Sequence, residues 1–353
     1  DGVELLLCRD PRLWSTVRHH AILFTATVAA CMVNPYGYEL HTWMLSSLGR
    51  PRPEISEWAP LPLFAVDGLP FWCFAFGAFL CLKKTVEPRR WPGLIVMSLL
   101  SWQAVKHHRH LPFAAMMGSF ILAPHIESVV RQMFAWLKER AAEQHPAQIS
   151  QHRGAGVAVP LVLLVALGCA QFPRQATLHV DREYYPVSAI QFMADNQLNG
   201  KVLVTFNWAQ YALAVFADSS PESRVAFDGR FRTCYPQPII DMYFDFILGD
   251  LPPHVRYRED TSGPFDATKA LHYKDPDLVL IECERKNSVR TMEACSAEWC
   301  LLYQDSLAQL WGRRSVYDDR QSKRFLPTHR RHCSDDLQEG SVAWPAFPMA
   351  GRP

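Results

Sequence analysis

The chain has 353 residues, 49% of them hydrophobic and 20% charged, with a net charge of +1. That balance excludes a disordered chain, which carries fewer apolar residues and more net charge, and a strongly basic nucleic-acid binder. It does not exclude a membrane protein: 16 Lys+Arg and 11 Asp+Glu lie before residue 181 and 20 and 24 after it, so a charge-poor half of net +5 precedes a charge-rich half of net −4.

In chain order, five apolar runs come first, near 13–33, 61–82, 91–105, 111–126 and 156–172, with basic clusters between them. A membrane-spanning helix needs roughly 20 mostly apolar residues. The second run fits best on length, and the fifth carries no charge. The shorter third and fourth fit either a tilted pair or a re-entrant hairpin. If the first run leaves the cytoplasm, the inside segments hold 11 Lys and Arg and the outside segments 4. That orientation satisfies the positive-inside rule and puts everything after about Phe172 outside. The chain opens at Asp1 without Met and turns apolar almost at once, so we expect the C-terminal part of a longer protein.

The remainder alternates between strand and helix patterns. Pro186 followed by VSAIQFMADNQL predicts a helix ending at Asn199-Gly200, and KVLVTF a buried strand. A helix over Ala209–Ala217, a strand at RVAF and a helix over Ile239–Leu248 follow, the last with Asp241 and Asp245 off its apolar face. DLVLIEC (277–283) is the clearest strand. Next come a helix near Ser288–Ala294 and an antiparallel pair from WCLLYQD and LAQLWGR. The expected architecture is an all-α membrane bundle of about five transmembrane or re-entrant helices over 1–175, then a small extracytoplasmic α/β domain over 176–312. Beyond Arg313 the polar, basic, Pro-containing composition predicts a disordered tail over 313–353.

Ten cysteines divide evenly. Five accompany the apolar runs as small apolar residues. Cys234, Cys283, Cys295, Cys300 and Cys333 lie in the exported part, where oxidation is feasible, and the spacing of Cys283, Cys295 and Cys300 allows one bridge among them.

Two outward segments carry candidate chemistry. In NPYGYELHTWMLSSLGRPRPEISEWAP (34–60), Glu54 and Glu57 follow a Pro-rich stretch and Trp58 sits at interface depth. The plain reading is an aromatic anchor with solvated carboxylates; the functional one is a carboxylate at the mouth of a lipid-side cavity, able to act as a base. In the second segment, Lys106, His107, His108, Arg109 and His110 interrupt an apolar hairpin. Such a polar cluster is costly unless it meets water, a lipid head group or a ligand. Lys and Arg suit a phosphate; a three-His metal site is the less favoured alternative, because adjacent His side chains diverge on a helix. Asp67, before Gly68-Leu69-Pro70, reads as a residue opening a helix.

The segments NPYG, ISEW, KHHRHLPF, YPVSAIQFM, FNWAQYAL and VAFDGR together resemble a family of polytopic bacterial membrane proteins classed with GT-C glycosyltransferases, the class that includes the protein mannosyltransferases. The resemblance spans roughly 20–312. It implies a polyprenyl-phosphate sugar as donor and a catalytic carboxylate in a first extracytoplasmic loop that this chain does not contain. Within the chain it implies phosphate contacts from Arg109 with Lys106, His107 or His108, and an accessory role for Glu57 or Glu54. A divalent metal is compatible with this chemistry but demanded by no spacing here.

The segment VLVTFNWAQYALAVF…RVAFDGR is also similar in layout to the Trp-Trp-Asp-Tyr-Gly region of oligosaccharyltransferase catalytic subunits. That similarity offers Asn207, Trp208, Tyr211, Asp228 and Arg230 as acceptor or groove residues, and Trp58 of the first outward segment joins them as a candidate. Ala209 or Gln210 stands where that family has Asp, which speaks against sequon recognition. Tyr211 reads as core, Trp208 as core or sugar platform, and Asp228 and Arg230 as a mutual pair or groove lining. The expected function is an inner-membrane, multi-pass glycosyltransferase with lipid and lipid-linked sugar as partners and no nucleic acid. The alternatives are a non-enzymatic membrane scaffold whose exported domain binds a ligand or envelope partner, and a transporter, which lacks the inverted repeat expected of many such folds.

Overall fold

The computed structural model describes residues 13–144, 162, 165–170, 172, 176–344, 346 and 348. The chain divides into two compact units, Asp1–Gly156 and Val157–Pro353. The division falls ahead of the fifth apolar run rather than after it, and most of that run lies outside the described residues, as do Arg9 and Arg12.

The first unit is helical: α1 (Leu13–Met32), α2 (Tyr38–Leu48), α3 (Leu69–Lys84), α4 (Trp91–Lys106) and α5 (Leu111–Gln144). Small residues let α3, α4 and α5 approach closely. Ala104, Ala114 and Ala78 are buried, and a Cβ on Gly118 would lie 2.2 Å from Phe74 Cζ. At one end, the Leu61 N–H donates to the Val105 carbonyl at 3.0 Å. At the other, the Val86 N–H donates to Ser128 Oγ at 3.3 Å, and Gln132 Nε2 donates to the Lys84 carbonyl at 3.3 Å. Buried His125 and Ser128 thus serve the helix end and turn after α3, where backbone groups lack helical partners. These contacts tie the segments on either side of α3 to α4 and α5. Among the described residues, two helical stretches, Val66–Lys84 and His108–Leu137, are long and apolar enough to cross a membrane.

The second unit is α/β. Its elements are β1 (His179–Asp181), α6 (Val187–Asp195), β2 (Lys201–Val204), α7 (Ala209–Ser219), β3 (Arg224–Val225), α8 (Gln237–Ile247), β4 (Leu278–Glu282), α9 (Lys286–Ala294), β5 (Trp299–Gln304), β6 (Ala308–Arg313), β7 (His332–Cys333) and β8 (Ser341–Ala343). Six strands form one sheet in the order β3-β2-β4-β6-β5-β7, and β1 pairs with β8 separately. The strands β3, β2 and β4 are parallel neighbours, and β6 is antiparallel to both β4 and β5. Each β2 and β4 side chain from Val202 to Val204 and Leu278 to Ile281 is buried, as expected where helices cover both faces of a sheet.

Three expectations are corrected. The chain beyond Arg313 is ordered through 344: Tyr317 and Leu326 enter the core, Arg324 pairs with Asp277 at 2.7 Å, and Arg331 pairs with Asp318. A few apolar residues and specific ion pairs suffice there despite the polar composition. Asp241 and Asp245 are not on a wet face but buried. Arg256 Nη2 donates to Asp245 Oδ1 at 2.5 Å and to the Asp241 carbonyl at 2.7 Å, while Asp241 Oδ2 accepts from the Glu259 N–H at 3.0 Å and from Ser262 Oγ at 2.5 Å. The pair therefore anchors the long connection after α8. Finally, Cys283, Cys295 and Cys300 are free thiols. Cys283 Sγ faces the Asp305 carbonyl at 3.5 Å and Cys300 Sγ the Gly312 carbonyl at 3.4 Å. Burial, reinforced by Asp305, pushes the Cys283 thiol up to about 11, away from nucleophilic use.

Candidate functional site

The first unit brings the two outward segments together. A short 3₁₀ turn, Ser56–Trp58, presents the Trp58 carbonyl to His107, whose Nδ1–H donates to it at 2.8 Å. The His108 N–H donates to the Ala59 carbonyl at 3.1 Å. Because a carbonyl only accepts, the His107 proton is fixed on Nδ1 and Nε2 is left as an acceptor. The guanidinium carbon of Arg52 lies 4.2 Å from the centroid of the Trp58 ring, and that of Arg109 lies 4.9 Å from it. Two cations thus share one indole, each within cation–π range. Loss of hydration, then the charge of Arg109, lowers the pKa of Arg52. Among the described residues Arg109 has no carboxylate partner.

Next to this cluster is a cavity of about 480 Å³, lined by Ala59, Leu61, Asp67, His108 and Leu111. The basic set predicted for phosphate is therefore divided. Arg109 joins Trp58, His107 braces the Trp58 turn and His108 lines the cavity, while Lys106 turns away, its Nζ 4.7 Å from the Trp102 ring centroid. Glu57 is exposed, and Glu54 is half-buried. Arg52, six residues before Trp58, carries no local sequence signal, because nothing nearby marks which arginine folds back onto an aromatic ring. Asp67 reads in the sequence only as a residue opening a helix, whereas its 3₁₀ turn, Val66–Gly68, puts it at the cavity.

In the second unit the groove candidates separate into core and edge. Trp208 is 2% exposed and its indole N–H donates to the Tyr184 carbonyl at 2.7 Å. Tyr211 is equally buried, with its hydroxyl on the Ala346 carbonyl at 3.2 Å, and burial pushes its pKa up to about 12. Both are core residues rather than sugar platforms. Asn207 is exposed at the turn after β2.

Asp228 and Arg230 do pair. The buried Asp228 carboxylate accepts from Arg230 Nη2 at 2.6 Å, from Arg230 Nε at 2.9 Å and from the Tyr235 hydroxyl at 2.9 Å. The turn that holds them puts Phe231 at a φ of +48°, a conformation costly for a bulky residue and held by ring contacts with Phe206, Phe227 and Phe244. Burial works against the Asp228 charge, but the hydrogen bonds from Arg230 and Tyr235 outweigh it and hold the carboxyl below the usual carboxylate range. A depressed folded pKa stabilises the fold above the unfolded value, about 4, and the gain vanishes as pH falls through the folded value. Asp228→Asn is therefore expected to flatten the loss of stability between pH 5 and pH 2 (urea melts at each pH). An unchanged acid limb would refute the assignment.

Among the described residues no group of three or more His, Cys, Asp or Glu side chains converges as a metal site. The chain matches no protein family model, no curated protein and no solved structure.

Proposed function

We propose that this chain is an integral membrane glycosyltransferase of the GT-C type, moving a sugar from a polyprenyl-phosphate carrier to an acceptor outside the cytoplasm. On this reading the first unit is a multi-pass helical bundle in the cell inner membrane, and the second unit is extracytoplasmic. The apolar stretches support it. The most apolar windows of Val66–Lys84 and His108–Leu137 are only 17% and 28% buried within the protein, which supports lipid rather than a protein core as their surroundings. Large side chains such as Phe76, Phe79 and Phe120 point outward along them.

The observation that carries the reaction class is the pairing of Arg52 and Arg109 at Trp58 beside a cavity holding Asp67 and His108. Two guanidinium groups offer planar, permanently charged donors to a lipid phosphate. As the bond between the sugar's anomeric carbon and the phosphate oxygen breaks, they take up the charge that develops on that oxygen. Asp67 or His108 accepts the proton of the incoming hydroxyl. Glu57 and Glu54 stay accessory.

The test is binding of undecaprenyl phosphate to the full chain in nanodiscs. Arg109→Ala removes a charge-assisted contact worth about 1.5–3 kcal/mol, so affinity is expected to fall roughly 10- to 100-fold. Arg140→Ala is the control, since Arg140 makes a comparable contact, 4.4 Å over Trp136 on α5, outside this cluster. Equal losses from both variants, or none, would return the chain to a scaffold role.

A further inference from the structure

The second unit contains a separate cavity of about 360 Å³, lined in part by Arg182, Gln191, Phe192, Asp195, Tyr303 and His332. Its volume lies within the about 300–1,000 Å³ of small-molecule sites. One part of the lining is aromatic. The Phe192 and Tyr303 ring centroids are 5.1 Å apart, and His332 stacks on Tyr303 at 5.3 Å with 29° between the planes. That row is fixed from behind: the Tyr303 hydroxyl donates to Asp305 Oδ2 at 2.6 Å, and Asp305 Oδ1 accepts from the backbone of Leu307 and Ala308 at 2.8 and 2.7 Å. Tyr303 itself is 4% exposed, so Phe192 and His332 supply the accessible ring surface.

The polar lining is mixed in sign. Arg182 brings only donors, and among the described residues its guanidinium has no carboxylate partner. Asp195 brings only acceptors, and Gln191 Nε2 donates to its Oδ1 at 2.8 Å. The Arg182 backbone N–H donates to the Gly340 carbonyl at 3.0 Å, which ties this residue to the connection into β8.

These groups select among ligand classes. A small anion is drawn by Arg182 but repelled by Asp195, and a small cation meets the reverse. A wholly apolar ligand would strip water from both charges without replacing it. A neutral pyranose satisfies all three requirements. Its hydroxyls both donate and accept, and its C–H face packs on an aromatic ring. We propose that this cavity is a saccharide site holding one neutral hexopyranose unit against the Phe192–Tyr303–His332 row, hydrogen-bonded by Arg182, Gln191 and Asp195. The assignment goes beyond the transferase reading and stands whether or not the first unit binds a lipid phosphate.

The experiment uses the full chain in phosphatidylcholine nanodiscs, since sugar-headed detergents would compete. Methyl glucopyranoside, methyl galactopyranoside, methyl mannopyranoside and inorganic phosphate are each titrated and followed by saturation-transfer NMR. At least one hexoside is expected to bind, and Asp195→Asn and Arg182→Gln are each expected to weaken it about tenfold or more with an unchanged melting temperature. Three results would overturn the proposal: no transfer to any hexoside at tens of millimolar, hexoside binding indifferent to both variants, or binding of phosphate alone that strengthens in Asp195→Asn. Should one variant fail to fold, the other decides, because Arg182 and Asp195 lie on different elements.

Discussion

Asp245→Ala is expected to destabilise the second unit by about 3–5 kcal/mol, the cost of leaving a buried charge without its partner. Asp245 and Arg256 are each 2% exposed, and Arg258 Nε also donates to Asp245 Oδ1, at 3.1 Å. Removing the carboxylate strands one guanidinium in the interior and a second at its margin. The loss is specific to breaking the pair, since a matched apolar replacement such as Asp245→Leu with Arg256→Met removes both desolvation costs. The double variant should therefore recover most of the lost stability. Urea unfolding followed by tryptophan fluorescence measures both. A single-variant loss below 1 kcal/mol would mean that water reaches this network and that it does not anchor the connection after α8.

Phe227→Ala is expected to cost a similar amount, about 3–5 kcal/mol, through the cavity it leaves. The Phe227 ring stacks on Tyr243 at 4.2 Å and meets Tyr235 at 4.5 Å, with Phe206, Phe231 and Phe244 around it. Tyr243 in turn donates its hydroxyl to the Val204 carbonyl at 2.6 Å, so the cluster joins α8 to the end of β2. The same cluster holds Phe231 at its unfavourable φ, and with it the turn that presents Asp228 and Arg230. Hydrogen exchange at the Gly229 and Arg230 amides should accelerate in the variant beyond what global destabilisation explains. Protection that falls only in step with global stability would show that the turn holds itself.

The strands and helices of the second unit were legible because each is short, strongly periodic and bounded by turn residues. DLVLIEC became β4, and the two last apolar segments became the antiparallel pair β5–β6. What stayed hidden was long-range. Asp241 and Asp245 look solvent-facing until Arg256 and Arg258, from a loop with no periodicity, fold over them. The ordering of 314–344 was invisible for the same reason: it rests on single residues such as Tyr317 and Leu326 and on ion pairs formed with distant partners. In the first unit the residue types at the candidate site were readable, both segments having been singled out separately. Their meeting was not, because hydrogen bonds from His107 and His108 to the Trp58 and Ala59 carbonyls leave no trace in composition.

The order of synthesis sets when the β1–β8 ladder can form. Strand β1 is the first described strand of the second unit, yet its only ladder partner among the described residues is Ser341–Ala343. The ribosome must deliver some 160 further residues before Val180 has Val342 to face. Until then this strand waits with unpaired backbone groups, and the closing stitch can be made only after nearly the whole unit has emerged. Closure of this domain is therefore a late event rather than one completed stepwise from its N-terminal side.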